Sequence, residues 1–276
     1  MSQRLFCFGL GYSARALAAL LRPQGWHVAG TARSADAVDG IEPIRFDGAG
    51  PMADTAELAR ATHVLVSVPP NRDGDPVLRW HEADLKAAPD LRWVGYLSTT
   101  GVYGNRDGGW VDEASPLAAN TMRGRRRVAA EQAWLATGLP VHLFRLAGIY
   151  GPGRNQLETV RSGRAQRIDK PGQVFSRIHV DDIAQILAAS IERPAPGRAY
   201  NVCDDEAASP AEVVAFAAGL LGVEPPPPVP FERAQMSAMG RSFYADNKRV
   251  ANEHIKDELG VRLRYPTYRD GLRALL

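Results

Sequence analysis

Short apolar runs alternating with helical periodicities set the pattern of the first two hundred residues. Leu5 to Phe8 is an unbroken apolar run closed by Gly9, and Ala14, Leu17, Ala18 and Leu21 follow at helical spacing. The pairing then repeats. Trp26 to Thr31, Pro43 to Phe46, Thr62 to Val68 and Trp93 to Leu97 read as strands, with helical stretches at Ala53 to Ala61 and Pro76 to Ala88. Unbroken apolar strands alternating with amphipathic helices predict a parallel sheet buried on both faces and joined by right-handed crossovers. The expected fold class is α/β, a Rossmann-type doubly wound parallel sheet.

The later chain is punctuated differently. From Pro152 to Val174 it is polar and glycine-spaced, with a short helix expected around Gln156 to Arg161. Asp181 and Asp182 open a helix whose buried face is Ile183, Ile186, Leu187 and Ile191, and carboxylates there are read as caps that complement the helix dipole. Ser209-Pro210-Ala211-Glu212 is a capping box with proline at the first helical position. Five prolines between Glu224 and Pro230 form a stiff connector. Ala251, Ile255 and Leu259, stopped by Gly260, and a final turn opened by Pro266-Thr267-Tyr268 complete the tail.

The stretch Gly9-Leu10-Gly11-Tyr12-Ser13-Ala14 gives the strand–helix pattern its chemistry. Gly9 lets the chain reverse, Gly11 lets backbone approach a pyrophosphate, and small Ala14 lets helix and strand pack closely. Helical amides and the positive end of the helix dipole then face the phosphates, with Tyr12 and Ser13 in the first turn. The second strand ends in Ala32-Arg33-Ser34. A carboxylate there would accept from the ribose 2′-hydroxyl of NAD, whereas an arginine accommodates the 2′-phosphate of NADP. Arg33 favours NADP and leaves NAD possible; its alternative is a solvated loop residue. Asp47, after the third strand, either accepts from the adenine amino group or forms an Asx turn. Val68 and Pro69 close the fourth strand and border the same cleft.

Composition narrows the partners to a small molecule. The chain has 276 residues, 45% hydrophobic and 23% charged, with a formal net charge of +2. That balance gives no field for nucleic acid or an anionic membrane, and no apolar segment reaches the roughly 20 residues of a membrane span. Cys7 and Cys203 read as buried thiols, and the scattered histidines offer no metal-ligand spacing. No basic leader, apolar core and cleavage site precede the first strand, so a cytoplasmic location is expected.

Four further stretches resemble one family. Leu97-Ser98-Thr99-Thr100-Gly101-Val102-Tyr103-Gly104 follows the fifth strand, and Arg145-Leu146-Ala147-Gly148-Ile149-Tyr150-Gly151-Pro152-Gly153 the sixth. Arg177-Ile178-His179-Val180-Asp181-Asp182 and Tyr200-Asn201-Val202 come later. With the glycine turn, and in this order, they resemble the extended short-chain dehydrogenases/reductases, which include nucleotide-sugar epimerases and dehydratases. The resemblance implies an NAD(P)-binding Rossmann domain over residues 1–150, rejoined by 176–203, and a smaller C-terminal substrate-binding region within 151–276. It implies a monomer or homodimer. It places the family's catalytic Ser/Thr on Thr99, polarising the substrate oxygen.

The resemblance breaks at the family's Tyr-x-x-x-Lys pair. Anchored on Ala129-Ala130-Glu131, that pair falls on Arg123 and Arg127. A guanidinium donates hydrogen bonds but does not cycle a proton. Arg127 is read as a substitute for the ribose-binding lysine; Arg123, among Arg125, Arg126 and Arg127, either grips an anionic substrate or belongs to a solvated face. Tyr103 is the first alternative proton carrier, Tyr150 the second and His179 the third. Arg123, Tyr150 and Arg177 are the candidate substrate contacts; the resemblance also implies that the tail closes over the substrate pocket, where Arg241 and Lys248 either point in or face water. Gly148 stands where many nucleotide-sugar enzymes carry a substrate-binding asparagine, which counts against such substrates. The expected function is an NAD(P)-dependent oxidoreductase or epimerase/dehydratase-like enzyme acting on a small hydroxyl or carbonyl compound, sugar-like or anionic. The alternative is a non-catalytic NADP-binding sensor or regulatory protein.

Overall fold

The computed structural model describes residues 3–34 and 36–276. A seven-stranded, wholly parallel sheet forms its centre: β1 (Arg4–Phe8), β2 (His27–Ala32), β3 (Ile44–Arg45), β4 (His63–Val66), β5 (Trp93–Thr99), β6 (Val141–Leu146) and β7 (Ala199–Val202). Their spatial order is 7-6-5-4-1-2-3, with every neighbouring pair parallel. The order reverses between β1 and β4. Beyond the carboxyl ends of the strands at such a switch point lies the crevice where doubly wound sheets bind ligands.

Alternation along the strands builds the two outer layers. Leu5, Cys7, Leu65, Trp93 and Phe144 pack with α1 (Tyr12–Leu21) and α6 (Val180–Glu192) through Leu17, Ile183, Ile186 and Leu187. Phe6, Phe8, Val64, Val66, Val94 and Tyr96 face the other way. They meet α2 (Ala56–Ala59), α3 (Pro76–Ala87) and α4 (Met122–Ala136) at Leu58, Val77, Leu85, Ala130 and Trp134. Both cysteines are buried free thiols. Among the described residues no helix is long and apolar enough to cross a membrane.

Between β6 and β7 the chain leaves the sheet and returns. Gly148–Tyr150 runs out, α5 (Gln156–Arg161) follows, and Arg177–His179 comes back in parallel beside Gly148–Tyr150. α5, α7 (Pro210–Leu220) and α10 (Tyr268–Ala274) enclose their own apolar cluster of Tyr150, Leu157, Val213, Ala217, Tyr268 and Leu272. Reciprocal capping boxes start α7 at Ser209/Glu212 and α10 at Thr267/Asp270. In the tail, α8 (Ala238–Phe243) and α9 (Glu253–Asp257) flank Arg249–Val250, which pairs with Trp110–Val111.

Four local expectations are corrected. The second helix covers only Ala56–Ala59, because Asp54 takes the Ala56 amide (2.8 Å) in a side-chain turn that competes with helix. The third strand is two residues long, at the sheet edge. Asp181 and Asp182 do not cap α6: His179 does, its Nδ1 accepting from the Asp181 amide. Asp182 is buried and accepts instead from the amides of Arg264 (2.6 Å) and Tyr265 (3.1 Å), pinning the tail. The proline connector is partly strand, with Pro228–Pro230 paired to Arg167–Asp169.

Two buried histidines make the fold acid-sensitive. Burial pushes His63 and His142 down to about 4 from 6.5, and His142 Nε2 accepts from the Ala195 amide, a bond that protonation breaks. The unfolded chain takes up these protons near pH 6.5 while the folded chain resists them. Stability is therefore complete above that pH and falls as the pH drops towards 4. Urea unfolding at pH 5 is expected to show a loss of about 1–2 kcal/mol per histidine relative to pH 7. Replacing both with glutamine should flatten that part of the curve.

Candidate active site

The glycine turn is held from two sides. The Gly9 amide donates to Thr31 Oγ1 (2.9 Å), and Ser67 Oγ donates to the Gly9 carbonyl (2.7 Å). Gly9 has φ +90°, and a Cβ there would stand 2.6 Å from Ser67 Oγ, so only glycine fits. Gly11 is the N-cap of α1 and brings no side-chain cap, which leaves the first helical amides open to a ligand. Val68 lies against the turn, 3.3 Å from the same Cβ position. A bare helix N-terminus behind a turn that excludes a Cβ fits a dinucleotide pyrophosphate.

The remaining residues around the turn are less uniform. Arg33 is exposed just beyond β2, Pro69 just beyond β4, and Ser13 is buried beneath the helix start. Asp47 is exposed, and its Oδ1 accepts from the Ala49 amide (2.9 Å) in an Asx turn. Tyr12 reaches across the cleft: its hydroxyl donates to the Pro152 carbonyl (2.9 Å), with the Arg154 guanidinium 5.9 Å over its ring. The helix start is thereby tied to the segment that follows Tyr150.

A cavity of about 680 Å³ opens at the carboxyl ends of β5 and β6. Thr99, Thr100 and Gly101 line one side, Arg123 and Gly124 the start of α4, and Tyr150, Arg177 and Tyr244 the opposite wall. Thr99, Arg123, Tyr150 and Arg177 are thus brought together from four separate stretches. Thr99 Oγ1 accepts from the Gly101 amide (3.1 Å), so its own proton remains to be donated elsewhere. Arg123 lies over the Phe243 ring at 4.4 Å. Arg177 is partly buried and donates to the carbonyls of Phe175 (2.7 Å) and Ala208 (3.0 Å). Burial lowers its pKa, while nearby Asp204 favours the charged form. Burial also raises the phenol pKa of Tyr150, whose hydroxyl packs against Gly271 of α10.

Three chemical expectations need correction. Tyr103 does not face the cavity: it is fully buried, donating to Asn201 Oδ1 (2.7 Å) and accepting from Arg145 Nη1 (2.9 Å). Burial pushes its phenol up to about 12, and its place is in a core network. Arg127 turns back onto β5, donating to the Leu97 carbonyl (2.6 Å) and Tyr96 Oη (3.1 Å). His179 is buried at the start of α6 and does not line the cavity. Of the four arginines opening α4, only Arg123 lines it; Arg125 bonds the Asn120 carbonyl and Arg126 the Met122 sulfur.

Of the two basic tail residues that the sequence leaves open between pocket and solvent, Lys248 lines the cavity and Arg241 does not. Lys248, 8% exposed, lines the cavity with Asp246, and Arg154 and Arg164 add charge from the segment around α5. A lysine in the polar run Asp246-Asn247-Lys248-Arg249 has no periodicity to mark it as inward-facing. The only sequence signal is that Val250 beside it is apolar.

A solved structure from Silicibacter pomeroyi DSS, described as a functionally unknown conserved protein, is 53% identical. It matches with a TM-score of 0.90 over 99% of this chain and 98% of that one. The Escherichia coli K12 protein YeeZ is 29% identical over 279 residues, 94% of each chain. A structure from Methylobacillus flagellatus, described as a candidate NAD-dependent epimerase/dehydratase, is 27% identical, with a TM-score of 0.75 over 99% of this chain and 97% of that one. No protein-family model matches the chain. The parallel sheet with its switch-point crevice and the glycine turn agree with this neighbourhood: the solved structures that the chain resembles are NAD-dependent epimerase/dehydratase-like proteins of the extended short-chain dehydrogenase/reductase type, and the chain shares their Rossmann-like fold.

Proposed function

We propose that the protein is an NADP-dependent oxidoreductase that interconverts a carbonyl and a hydroxyl on a small anionic substrate. The observation that carries this reading is the cavity wall. Thr99 shares it with Arg123, Arg154, Arg164, Arg177 and Lys248, five cationic side chains against the carboxylates of Glu158 and Asp246. Such a wall attracts and orients an anion, and the aromatic faces of Phe175 and Tyr244 add apolar contact. Gly9, Gly11 and the first amides of α1 would hold the dinucleotide pyrophosphate, and Arg33 the 2′-phosphate. The bound nicotinamide would supply or accept the hydride, and Thr99 would donate a hydrogen bond to the substrate oxygen as charge develops there.

Calorimetric titration of NADPH and NADH into the wild type and Arg33→Ala tests the cofactor half of this reading. An arginine–phosphate contact is a charge-assisted hydrogen bond, so a preference for NADPH of about tenfold to hundredfold is expected, lost in the variant. Equal preference in both proteins would remove Arg33 from the site. A second reading, a non-catalytic NADP-binding sensor, is favoured by one observation: neither Arg123 nor Arg127 releases a proton, and Arg127 is committed to Tyr96 and Leu97. Turnover of any anionic carbonyl compound, lost in Thr99→Val, would sink that reading.

A further inference from the structure

A carbonyl reduced in this cavity needs a proton, and the two positions that provide and steady it in the resembled family are arginines here. The side chains around the cavity differ in their ability to release one. Arg123 stays protonated. Tyr150 presents its hydroxyl to Gly271 and the Thr267 carbonyl (3.5 Å) on α10. Lys248 is placed otherwise. Its side chain is 9% exposed, and Nζ donates to the Gly104 carbonyl (3.0 Å) and to Asp246 Oδ2 (3.3 Å). An ammonium has three protons, and two are directed by these bonds. Among the described residues the third has no protein acceptor, and Lys248 lines the cavity.

Its placement is fixed by structure on both sides. Gly104 closes the loop that Thr99 opens; it has φ +69°, and a Cβ there would collide with the Ala118 carbonyl, so the chain direction at this carbonyl is set. On its own side, Arg249–Val250 pairs with Trp110–Val111, and the Val250 amide donates to buried Ser176 Oγ (3.2 Å). Asn247 is bonded to the Val174 amide (3.0 Å) and the Gly172 carbonyl (2.9 Å). The amine is therefore anchored to the loop that carries the oxyanion-binding hydroxyl rather than hanging from a mobile tail.

We propose that Lys248 is the proton donor of this site, taking the part that Arg123 cannot; the proposal rests on the oxidoreductase reading above. In the reducing direction the carbonyl carbon accepts the hydride that a reduced nicotinamide would supply, the π electron pair moves to oxygen, and that oxygen takes a proton from Nζ. Lys248 is left as a neutral amine and regains its proton from water entering the cavity. Oxidation runs the same transfers in reverse. The charged groups facing the amine are Asp246 from its own segment and Arg106 from the loop beyond Gly104. Burial and Arg106 lower the pKa of Lys248, and Asp246 partly restores it. An amine brought towards neutrality in this way gives up its proton more readily than an exposed lysine.

The chain has only four lysines, Lys86, Lys170, Lys248 and Lys256, so ¹³C-lysine labelling resolves each Cε signal for titration by NMR. One signal, absent in Lys248→Met, should titrate at a distinctly lower pH than an exposed lysine. Co-titration of all four overturns the proposal. Activity supplies the second arm, measured as NADPH oxidation with a panel of keto acids and aldehyde or keto phosphates. Lys248→Met and Lys248→Arg should each lose about 10²-fold or more in kcat and the alkaline limb of the pH profile, with NADPH affinity retained. A Lys248→Arg protein as active as the wild type would show that only the tie to Gly104 matters, removing the donor role alone. A wild type that turns over no member of the panel removes the oxidoreductase reading and the donor role together.

Discussion

Arg145→Met is expected to lower the unfolding free energy by about 3–5 kcal/mol, measured by urea unfolding at pH 7. Arg145 on β6 is 5% exposed and Glu131 on α4 is 1% exposed. The guanidinium donates to Glu131 Oε2 at 2.9 Å and to both carboxylate oxygens at 3.3 Å through Nε, while Ser98 Oγ donates to Oε1. Its remaining nitrogen reaches Tyr103 Oη (2.9 Å) and the Glu113 carbonyl (3.3 Å). Truncation leaves a buried carboxylate with one hydroxyl for company, and such an uncompensated charge costs far more than the intact pair contributes. Replacing both members, Glu131→Leu with Arg145→Met, should recover much of the loss. A single variant within about 1 kcal/mol of the wild type would show that water reaches this network.

Thr99→Val carries the largest expected effect on chemistry, a fall of about 10²–10³ in kcat with little change in KM for an anionic carbonyl substrate. The geometry sets the sign. Because Thr99 Oγ1 already accepts from the Gly101 amide, its proton is available for the cavity, and a hydrogen bond given there strengthens as negative charge builds on the substrate oxygen. Valine keeps the volume and β-branching and removes only that proton. Thr99→Ser should stay within about tenfold of the wild type. Loss of NADPH affinity in Thr99→Val would instead mean that the residue holds cofactor rather than transition state.

The sheet was legible because a parallel strand is buried on both faces and so reads as an unbroken apolar run, as at Leu5 to Phe8 and Thr62 to Val68. β3 was overread because it sits at the edge, where little apolar surface is needed. Helix starts with a side-chain code, such as Ser209 and Glu212, were legible; Asp182 misled because its carboxylate serves Arg264 and Tyr265, far along the chain. At the cavity, Thr99, Arg123, Tyr150 and Arg177 were found through resemblance to a family, which marks a position but not a direction. Tyr103 shows the difference, since the 3₁₀ turn after β5 aims it inward at Arg145. The sequence leaves Lys248 open between pocket and solvent because its orientation comes from the pairing of Arg249–Val250 with Trp110–Val111, a non-local event with no local signature.

The segment from Gly151 to Arg154 touches Tyr12 at the glycine turn, while Gly153 and Arg154 also form part of the cavity wall. One stretch of backbone therefore joins the glycine turn, the proposed dinucleotide site, to the cavity. A dinucleotide that draws this stretch towards α1 reshapes the wall that a second molecule meets, and that molecule reshapes the dinucleotide's surroundings in return. Linkage requires the two dissociation constants to change by the same factor. The coupling factor is measured by titrating each ligand in the presence of the other.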